Sequence, residues 1–422
     1  MTDSEALFTR GTLDAMRATV RETVERTPVT DIHTHLYAPA FGGLLLWGMD
    51  ELLTYHYLIA EVIRASRIEP AAFFAQSQRE QADFIWRTLF IERSPYSEAC
   101  RGVLTVLDRL GLDVASRDLA AYRDYFEQQS VEDYIDTVFE RTNLESVVMT
   151  NDPFDDAERP VWEAGAAVDP RFHAALRIDP ILNDWAGACG RLQGWGYTVD
   201  EGLSGAALAE TRRFLADWLQ KTRALYMAVS LPQDFAYPEN SARARLIDEC
   251  IIPVAKEHQV PFAMMIGVKR AMNPALKIAG DGVAKSDVGA VERLCAAYPD
   301  AKFMVTMLAR EDQHELSIAA RKFPNLFLFG CWWFLNVPSL IEEMTRMRFE
   351  LLGTSVLPQH SDSRVLDQVL YKWSHSRAII AEVLADKYAD LLRTGWSLTQ
   401  REIDRDVAGL LGGNFWDFLK QV

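Results

Sequence analysis

Two histidines separated by one residue end an apolar segment near the start of the chain. The segment VTDIHTH covers 29–35 and contains His33 and His35. Side chains two residues apart in a β-strand point to the same face, so both imidazoles would project together. Two neutral imidazoles are a chelating pair for Zn, Mn, Fe or Ni. We interpret His33 and His35 as ligands of one divalent metal ion, and a chance pair of histidines in a loop is the alternative.

A carboxylate that could complete this site ends the last apolar segment. The segment SVLPQHSD covers 355–362 and ends at Asp362. In a closed barrel the last strand lies beside the first, so Asp362 could bind the same metal or take a proton from a substrate. Aspartate also favours helix N-caps, and capping of the next helix is the alternative for Asp362 alone.

Three arginines follow the ends of apolar segments, at Arg177, Arg270 and Arg364. The chain has a formal net charge of -16, so an anionic substrate would need a local cluster of cations. Guanidinium groups bind carboxylates through two parallel hydrogen bonds. We predict that all three arginines face the metal and bind substrate, and ordinary ion pairing is the alternative for any one of them.

Two pairs of ring-bearing residues could also contact a substrate. His56 and Tyr57 lie in LLTYHYLIAE, where they could act as acid, base or hydroxyl ligand over a barrel mouth. Trp332 and Trp333 end the segment at 326–333, and indole rings stack on the CH faces of sugars. Packing in the hydrophobic core is the alternative for both pairs.

Eight short apolar segments must position these residues, and helical patterns lie between several of them. Near-continuous apolar segments are typical of parallel strands covered on both faces. Alternation with helices indicates βα units, whose barrels carry active sites at the carboxyl ends of the strands. We predict an α/β fold, a (β/α)₈ TIM barrel, with an open three-layer sheet as the alternative. The segments are 29–35, 146–152, 172–179, 224–231, 261–267, 302–308, 326–333 and 355–362.

The remaining regions read as additions to one barrel. Residues 36–144 have mostly helical patterns and predict a helical insertion after the first strand. The segment TQREIDRDVAGLLGGNFWDFL predicts a C-terminal helical segment, broken at Gly412 and Gly413. No Gly/Ser-rich or Pro-rich linker divides the chain, so we predict a single metal-dependent domain over 1–422.

The composition excludes several kinds of partner. The 422 residues are 49% hydrophobic and 25% charged, as in soluble globular proteins. The negative charge argues against nucleic acid and against anionic membranes. The five cysteines form no CxxC, and no apolar stretch has signal-peptide or membrane-spanning length. We predict a cytoplasmic enzyme of a small molecule, and association of its copies into a homo-oligomer remains open.

The motifs, taken in order, resemble those of the uronate isomerases, a branch of the amidohydrolase superfamily. That family has Asp-aromatic-His-Cys-His-Leu where this chain has Asp31–Leu36, and Asp-His-Tyr where it has Tyr55–Tyr57. Family motifs on the second and third strands are similar to Met149–Pro153 and Leu176–Pro180. The last two, Gly-Trp-Trp-Phe and Thr-Asp-Ser-Arg, resemble Cys331–Phe334 and Ser361–Arg364. The similarity runs from Asp31 to the end of the chain.

The resemblance implies interconversion of an aldohexuronate, D-glucuronate or D-galacturonate, with a ketohexuronate. It implies one divalent metal bound by His33, His35 and Asp362, with Zn expected first and Mn, Fe or Ni as alternatives. Arg177, Arg364, His56 and Tyr57 would surround the substrate. Within this scheme Asp362 is our candidate base, water beside the metal is the competing one, and Tyr57 or His56 would move the hydroxyl proton.

One departure from the family keeps a second function open. The family's fifth strand ends His-Ile-Gly, whereas this chain has Met265, Ile266 and Gly267, with Arg270 kept. A family Asn-Asp after the paired tryptophans is also replaced, by Leu335 and Asn336. The alternative is a metal-dependent hydrolase of a sugar-acid lactone, amide or related ester, and a non-catalytic binding protein is a third hypothesis.

Overall fold

The computed structural model describes residues 7–421. A curved sheet at its centre has parallel strands in the order β2-β3-β4-β5-β6-β8-β9, with β7 antiparallel to β6. A separate ribbon pairs β1 with β10. The strands are β1 (Leu7–Phe8), β2 (Val29–Thr34), β3 (Leu144–Asn151), β4 (Phe172–Arg177), β5 (Met227–Pro232), β6 (Phe262–Lys269), β7 (Gly282–Val283), β8 (Phe303–Met307), β9 (Leu326–Leu328) and β10 (Leu398–Thr399).

Seven of the eight predicted strands are regular, and the eighth segment closes the barrel without forming one. It pairs with β9 at a single bridge, where Gly330 N–H donates to Leu357 O at 2.8 Å. At its carboxyl end the segment contacts β2, where Asp362 N–H donates to His33 O at 3.1 Å. The segment therefore connects the last strand to the first, and the prediction of a TIM barrel is confirmed.

Helices alternate with the strands and cover the outside of the sheet. They are α1 (Leu13–Arg26), α2 (Met49–Leu53), α3 (His56–Ser66), α4 (Pro70–Phe74), α5 (Gln78–Ile85), α6 (Glu98–Arg109), α7 (Leu119–Glu127), α8 (Val131–Thr142), α9 (Arg159–Glu163), α10 (Asp179–Asn183), α11 (Trp185–Gly194), α12 (Gly205–Thr222), α13 (Ala242–Leu246), α14 (Ile252–Glu257), α15 (Val288–Ala297), α16 (Gln313–Ala320), α17 (Pro338–Leu352), α18 (Gln368–Arg393), α19 (Gln400–Ala408) and α20 (Asn414–Lys420). The predicted helical insertion after the first strand is present as α2–α8.

Cap residues explain where several insertion helices begin. Ser77, Ser97 and Ser130 accept hydrogen bonds from backbone N–H groups in the first turns of α5, α6 and α8. A serine oxygen at this position satisfies a donor that the helix itself leaves unpaired. The insertion starts with α2 and α3, directly after β2, so its first residues lie near the carboxyl ends of the strands.

The barrel interior is filled by apolar side chains and is closed at one end by α20. Alternate residues of the strands, such as Ile32, Val148 and Ala175, form an inner apolar cluster with Phe415 and Phe418 of α20. This alternation places every second strand residue in the interior. Because α20 packs against the amino ends of the strands, the carboxyl ends remain available for a site.

Candidate active site

The carboxyl ends of β2 and of the eighth segment bring two histidines and a carboxylate together. Asp362 Oδ1 lies 3.3 Å from His35 Nε2 and 3.6 Å from His33 Nε2. The candidate ligand atoms of the three residues all lie within 4.8 Å of one another. Ligands about 2.1 Å from one tetrahedral ion lie about 3.4 Å apart, so this spacing suits a single metal ion.

Two of the three ligand atoms have no hydrogen-bond partner in the described part of the chain. His33 Nε2 and Asp362 Oδ1 are both buried and unpaired. Buried polar atoms are normally hydrogen-bonded, so an unpaired nitrogen facing an unpaired carboxylate oxygen indicates that a cation binds between them. The residues present therefore fit a divalent metal ion.

Neighbouring hydroxyls fix which nitrogen of each histidine faces the site. Tyr226 donates to Ile32 O at 2.6 Å, so His33 Nδ1–H is the donor in its 3.4 Å contact with the Tyr226 oxygen. Thr150 donates to Thr34 O at 3.0 Å, and His35 Nδ1 lies 2.9 Å from the same hydroxyl. Both Nε2 atoms then carry a lone pair, which is the form that binds a metal.

Burial keeps the site histidines uncharged. It lowers the pKa of His33 to about 3 and holds the pKa of His35 well below its usual value. Desolvation disfavours the protonated imidazole, and the nearby Arg177 and Arg364 guanidinium groups act in the same direction. Both imidazoles are therefore neutral at physiological pH.

Nine of the ten predicted site residues line one cavity at this end of the barrel. They are His33, His35, His56, Arg177, Arg270, Trp332, Trp333, Asp362 and Arg364. The tenth, Tyr57, packs behind His56 at a ring-centroid distance of 4.5 Å, and its hydroxyl is buried without a hydrogen-bond partner among the described residues. The structure thus places Tyr57 in the ring cluster beside His56, next to the residues that line the cavity.

The three predicted arginines differ in their partners. Arg177 forms an ion pair with Asp179 at 3.0 Å, and Arg270, which is more exposed, pairs with Asp281 at 2.5 Å. Arg364 has no ion pair within residues 7–421. Because Arg364 has no carboxylate partner among the described residues, its guanidinium could bind an anion without breaking an ion pair.

His56 begins α3 and lines the same cavity as Arg364 and Trp333. Its Nε2 is buried and unpaired in the described structure, and its ring lies 5.8 Å from the Trp333 ring. Burial, with the Arg364 charge, lowers the pKa of His56 to about 3. Neutral His56 can therefore donate or accept one proton of a substrate hydroxyl.

Four residues of the site had no prediction. Tyr55, Ser230 and Ile278 also line the cavity. His360 is buried with both ring nitrogens unpaired in the described structure, and its ring lies 5.2 Å from that of His33. Three of these positions carried a signal in the sequence, because Ser230 ends the fourth apolar segment, His360 lies two residues before Asp362 and Tyr55 precedes His56. Ile278 carried none, since its place in the cavity depends on contacts between distant segments.

The structure is similar to that of a uronate isomerase from Bacillus halodurans. The two share 56% sequence identity with 97% of each chain covered, and their TM-score is 0.96. The chain belongs to the uronate isomerase family. A search with protein-family profiles and a search of curated proteins found no match.

Two more distant uronate isomerase structures share the fold. One from Thermotoga maritima has 16% identity and a TM-score of 0.76, with 99% of this chain and 100% of that chain covered. A glucuronate isomerase from Caulobacter crescentus has 15% identity and a TM-score of 0.78, with 100% and 95% covered. Membership in the family makes this protein an aldose–ketose isomerase and favours that function over the hydrolase alternative.

Proposed function

We propose that this protein interconverts D-glucuronate or D-galacturonate with the corresponding ketohexuronate. The observation that carries the proposal is the 56% identity to the Bacillus halodurans uronate isomerase over 97% of each chain. The cavity is consistent with it, since unpaired Arg364 lies in the same cavity as His33, His35 and Asp362. An anionic sugar could thus place its charge on Arg364 while its reacting end faces Asp362.

His33, His35 and Asp362 would hold one divalent ion, for which Zn is our first candidate. Imidazole and carboxylate also suit Mn, Fe and Ni, so the donor set alone favours no single ion. When bound, the ion would polarise a substrate oxygen as a Lewis acid.

The reaction needs a proton removed from C2 and returned to C1. We assign the carboxylate of Asp362 as the base, because it lines the cavity and needs only one of its two oxygens, Oδ1, to face the two histidines. His56, neutral at working pH, would carry the hydroxyl proton between the two oxygens, and Tyr57 would support His56 from behind. Arg177 and Arg364 would orient the sugar through its anionic and hydroxyl oxygens, with Arg270 at the rim.

The two tryptophans and Met265 would shape the rest of the cavity. Trp332 and Trp333 offer ring faces to the CH groups of a sugar. Met265 also lines the cavity, where the family motif has a histidine. A thioether neither titrates nor binds hard cations well, so Met265 would contribute packing.

The setting of the enzyme is part of the same proposal. None of the helices within residues 7–421 has the length and apolar character needed to cross a bilayer. The five cysteines are all unpaired and buried, which suits a reducing compartment such as the cytoplasm. Homo-oligomer formation remains a prediction.

Product analysis tests the reaction class. The purified protein, loaded with Zn²⁺ or Mn²⁺, is incubated separately with D-glucuronate, with D-galacturonate and with a sugar-acid lactone. The products are separated, and their masses are measured by mass spectrometry. Isomerisation yields a ketouronate of unchanged mass. A product that gains one water with a lactone substrate, and no ketouronate with either sugar, would instead favour the hydrolase.

A further inference from the structure

The backbone of Asp362 has a conformation that its own side chain does not stabilise. Its φ is +53°, in the left-handed region that most residues other than glycine avoid. Aspartate often supports this conformation through a hydrogen bond from its carboxylate to nearby backbone, but Oδ1 is unpaired within residues 7–421. Some other contact must hold Asp362 so that its carboxylate faces His33 and His35.

Two buried charged side chains bind the residue directly before it. Ser361 N–H donates to Asp31 Oδ1 at 3.0 Å. Ser361 O accepts a hydrogen bond from Lys372 Nζ at 2.7 Å. Both polar groups of one backbone residue are therefore fixed by side chains, one from β2 and one from α18.

The charged groups are themselves held in place. Asp31 Oδ2 accepts a hydrogen bond from Trp373 Nε1 at 2.8 Å. Helix α18 therefore provides both Lys372 and the tryptophan that holds Asp31. Asn336 Nδ2 is a second donor to Ser361 O, at 3.2 Å. Asp31 is 0% exposed and Lys372 is 2% exposed.

Burial of these charges is costly, and neither Asp31 nor Lys372 forms a direct ion pair with a described residue. Lys372 is attracted at longer range by the carboxylates of Asp362 and Asp31. A buried carboxylate and a buried ammonium each carry a large desolvation penalty. Apolar side chains would fill the same space without that penalty. What Asp31 and Lys372 add is their hydrogen bonds with the backbone of Ser361.

We propose that Asp31 and Lys372 are positioning residues that hold Asp362 in its left-handed conformation, with its carboxylate directed at His33 and His35. This inference rests on the proposed role of Asp362. Loss of either contact would free the backbone at Ser361 and Asp362 to relax. The carboxylate would then leave its position opposite the histidines while the barrel itself remained folded.

The test compares Lys372→Met with Arg377→Met. Arg377 lies five residues further along α18, is also buried, and also donates to backbone carbonyls, among them Thr27 O at 2.9 Å. Its contacts lie at the opposite end of the barrel, so Arg377→Met controls for loss of a buried cation on this helix. Each variant is titrated with Zn²⁺ and with Co²⁺, and the Co²⁺ absorption spectrum, kcat and KM are recorded.

For Lys372→Met we expect a metal Kd raised at least about 10-fold, an altered Co²⁺ spectrum, and kcat lowered about 100-fold at a KM within about 3-fold. Arg377→Met should keep the wild-type Kd, spectrum and kcat at 25 °C. Folded Lys372→Met with wild-type Kd and kcat would overturn the proposal. Equal losses in both variants would overturn it too, since the effect would then be general.

A milder variant decides the question if Lys372→Met does not fold. Asp31→Asn keeps the shape of the side chain, but its amide nitrogen cannot accept a hydrogen bond, so either Ser361 N–H or Trp373 Nε1–H loses its acceptor. We expect the same changes in spectrum and kcat, reduced to about 10-fold for kcat; unchanged values would overturn the proposal. If the wild-type protein shows no isomerase activity, the proposed function fails, whereas the metal Kd and spectrum still test the positioning.

Discussion

At the scale of single residues, two hydroxyls orient the histidines of the candidate metal site. Thr150 and Tyr226 already donate to backbone oxygens, so each can only accept from the imidazole beside it. This arrangement leaves both Nε2 atoms free for a metal. The spacing of His33 and His35 predicted that the two imidazoles project together, but the sequence did not show that Thr150 and Tyr226 would contact them.

The variant Thr150→Val should weaken metal binding about 10-fold. Valine keeps the shape of threonine, but His35 Nδ1–H loses its acceptor and the ring is free to turn. Thr306→Val is a matched control, because Thr306 is a buried threonine of β8 whose hydroxyl has no described partner. Titration of both variants with Zn²⁺ gives the comparison, and equal affinities would show that Thr150 does not orient His35.

The variant Asp362→Asn should reduce kcat about 1000-fold in protein that still holds one metal per chain. The amide keeps the shape of the carboxylate but cannot accept the C2 proton. Asp312→Asn, which changes a buried carboxylate bound to Ser286 N–H at 3.0 Å, is the control and should turn over normally. Near wild-type turnover of Asp362→Asn at full metal content would remove Asp362 as the base.

His56 should make the protein less stable at acid pH. Its pKa is about 3 in the folded protein and about 6.5 when unfolded, so the unfolded chain binds the extra proton between these values. The stability that neutral His56 contributes is complete above pH 6.5 and declines as the pH falls towards 3.

His56→Gln removes this dependence. From pH 7.5 to 5.5 the free energy of unfolding of the wild type should fall by about 1.4 kcal/mol more than that of the variant. Urea unfolding of both chelator-treated proteins at the two pH values measures the difference. A difference that stays constant, or that changes in the opposite direction, would contradict the neutral state of His56.

At the scale of elements, α18 connects the two ends of the barrel. Lys372 and Trp373 reach the site, whereas Arg377 binds backbone oxygens where α1 and α8 end. Apolar segments and helical patterns predicted the barrel and its insertion, because each depends on neighbouring residues. The contacts of α18 could not be predicted, since Asp31 and Trp373 are 342 residues apart.

The eighth segment shows why one strand was only partly predicted. Its apolar residues match the pattern of a strand, and Leu357 does form a bridge. Pro358 lacks an N–H donor, and the left-handed backbone at Asp362 is incompatible with a strand. The segment therefore closes the barrel with few regular hydrogen bonds.

Arg377→Met should lower the free energy of unfolding by about 3 kcal/mol. The guanidinium of Arg377 binds four carbonyl oxygens, including Thr142 O at 3.3 Å and Asn143 O at 3.1 Å. A cation favours the carboxyl ends of helices, which these oxygens form. Urea unfolding measures the loss, and Arg321→Met, on an exposed arginine, should have little effect. Equal stability of both variants would show that the four contacts contribute nothing.

At the scale of the whole molecule, the net charge of -16 contrasts with a cavity that is lined by three arginines. Most arginines of the acidic surface are paired with carboxylates, while Arg364 is held unpaired beside the candidate metal site. Composition predicted the need for such cations without showing which arginine would be unpaired. That distinction depends on Asp179 and Asp281, which pair with Arg177 and Arg270 in the folded protein.

The most direct test is a proton NMR time course of the metal-loaded enzyme with D-glucuronate and D-galacturonate in D₂O. We predict that a ketouronate appears from one or both sugars and carries deuterium at C1, because the base exchanges its proton with solvent. No ketouronate from either sugar, in protein shown to hold one metal per chain, would contradict the proposed function.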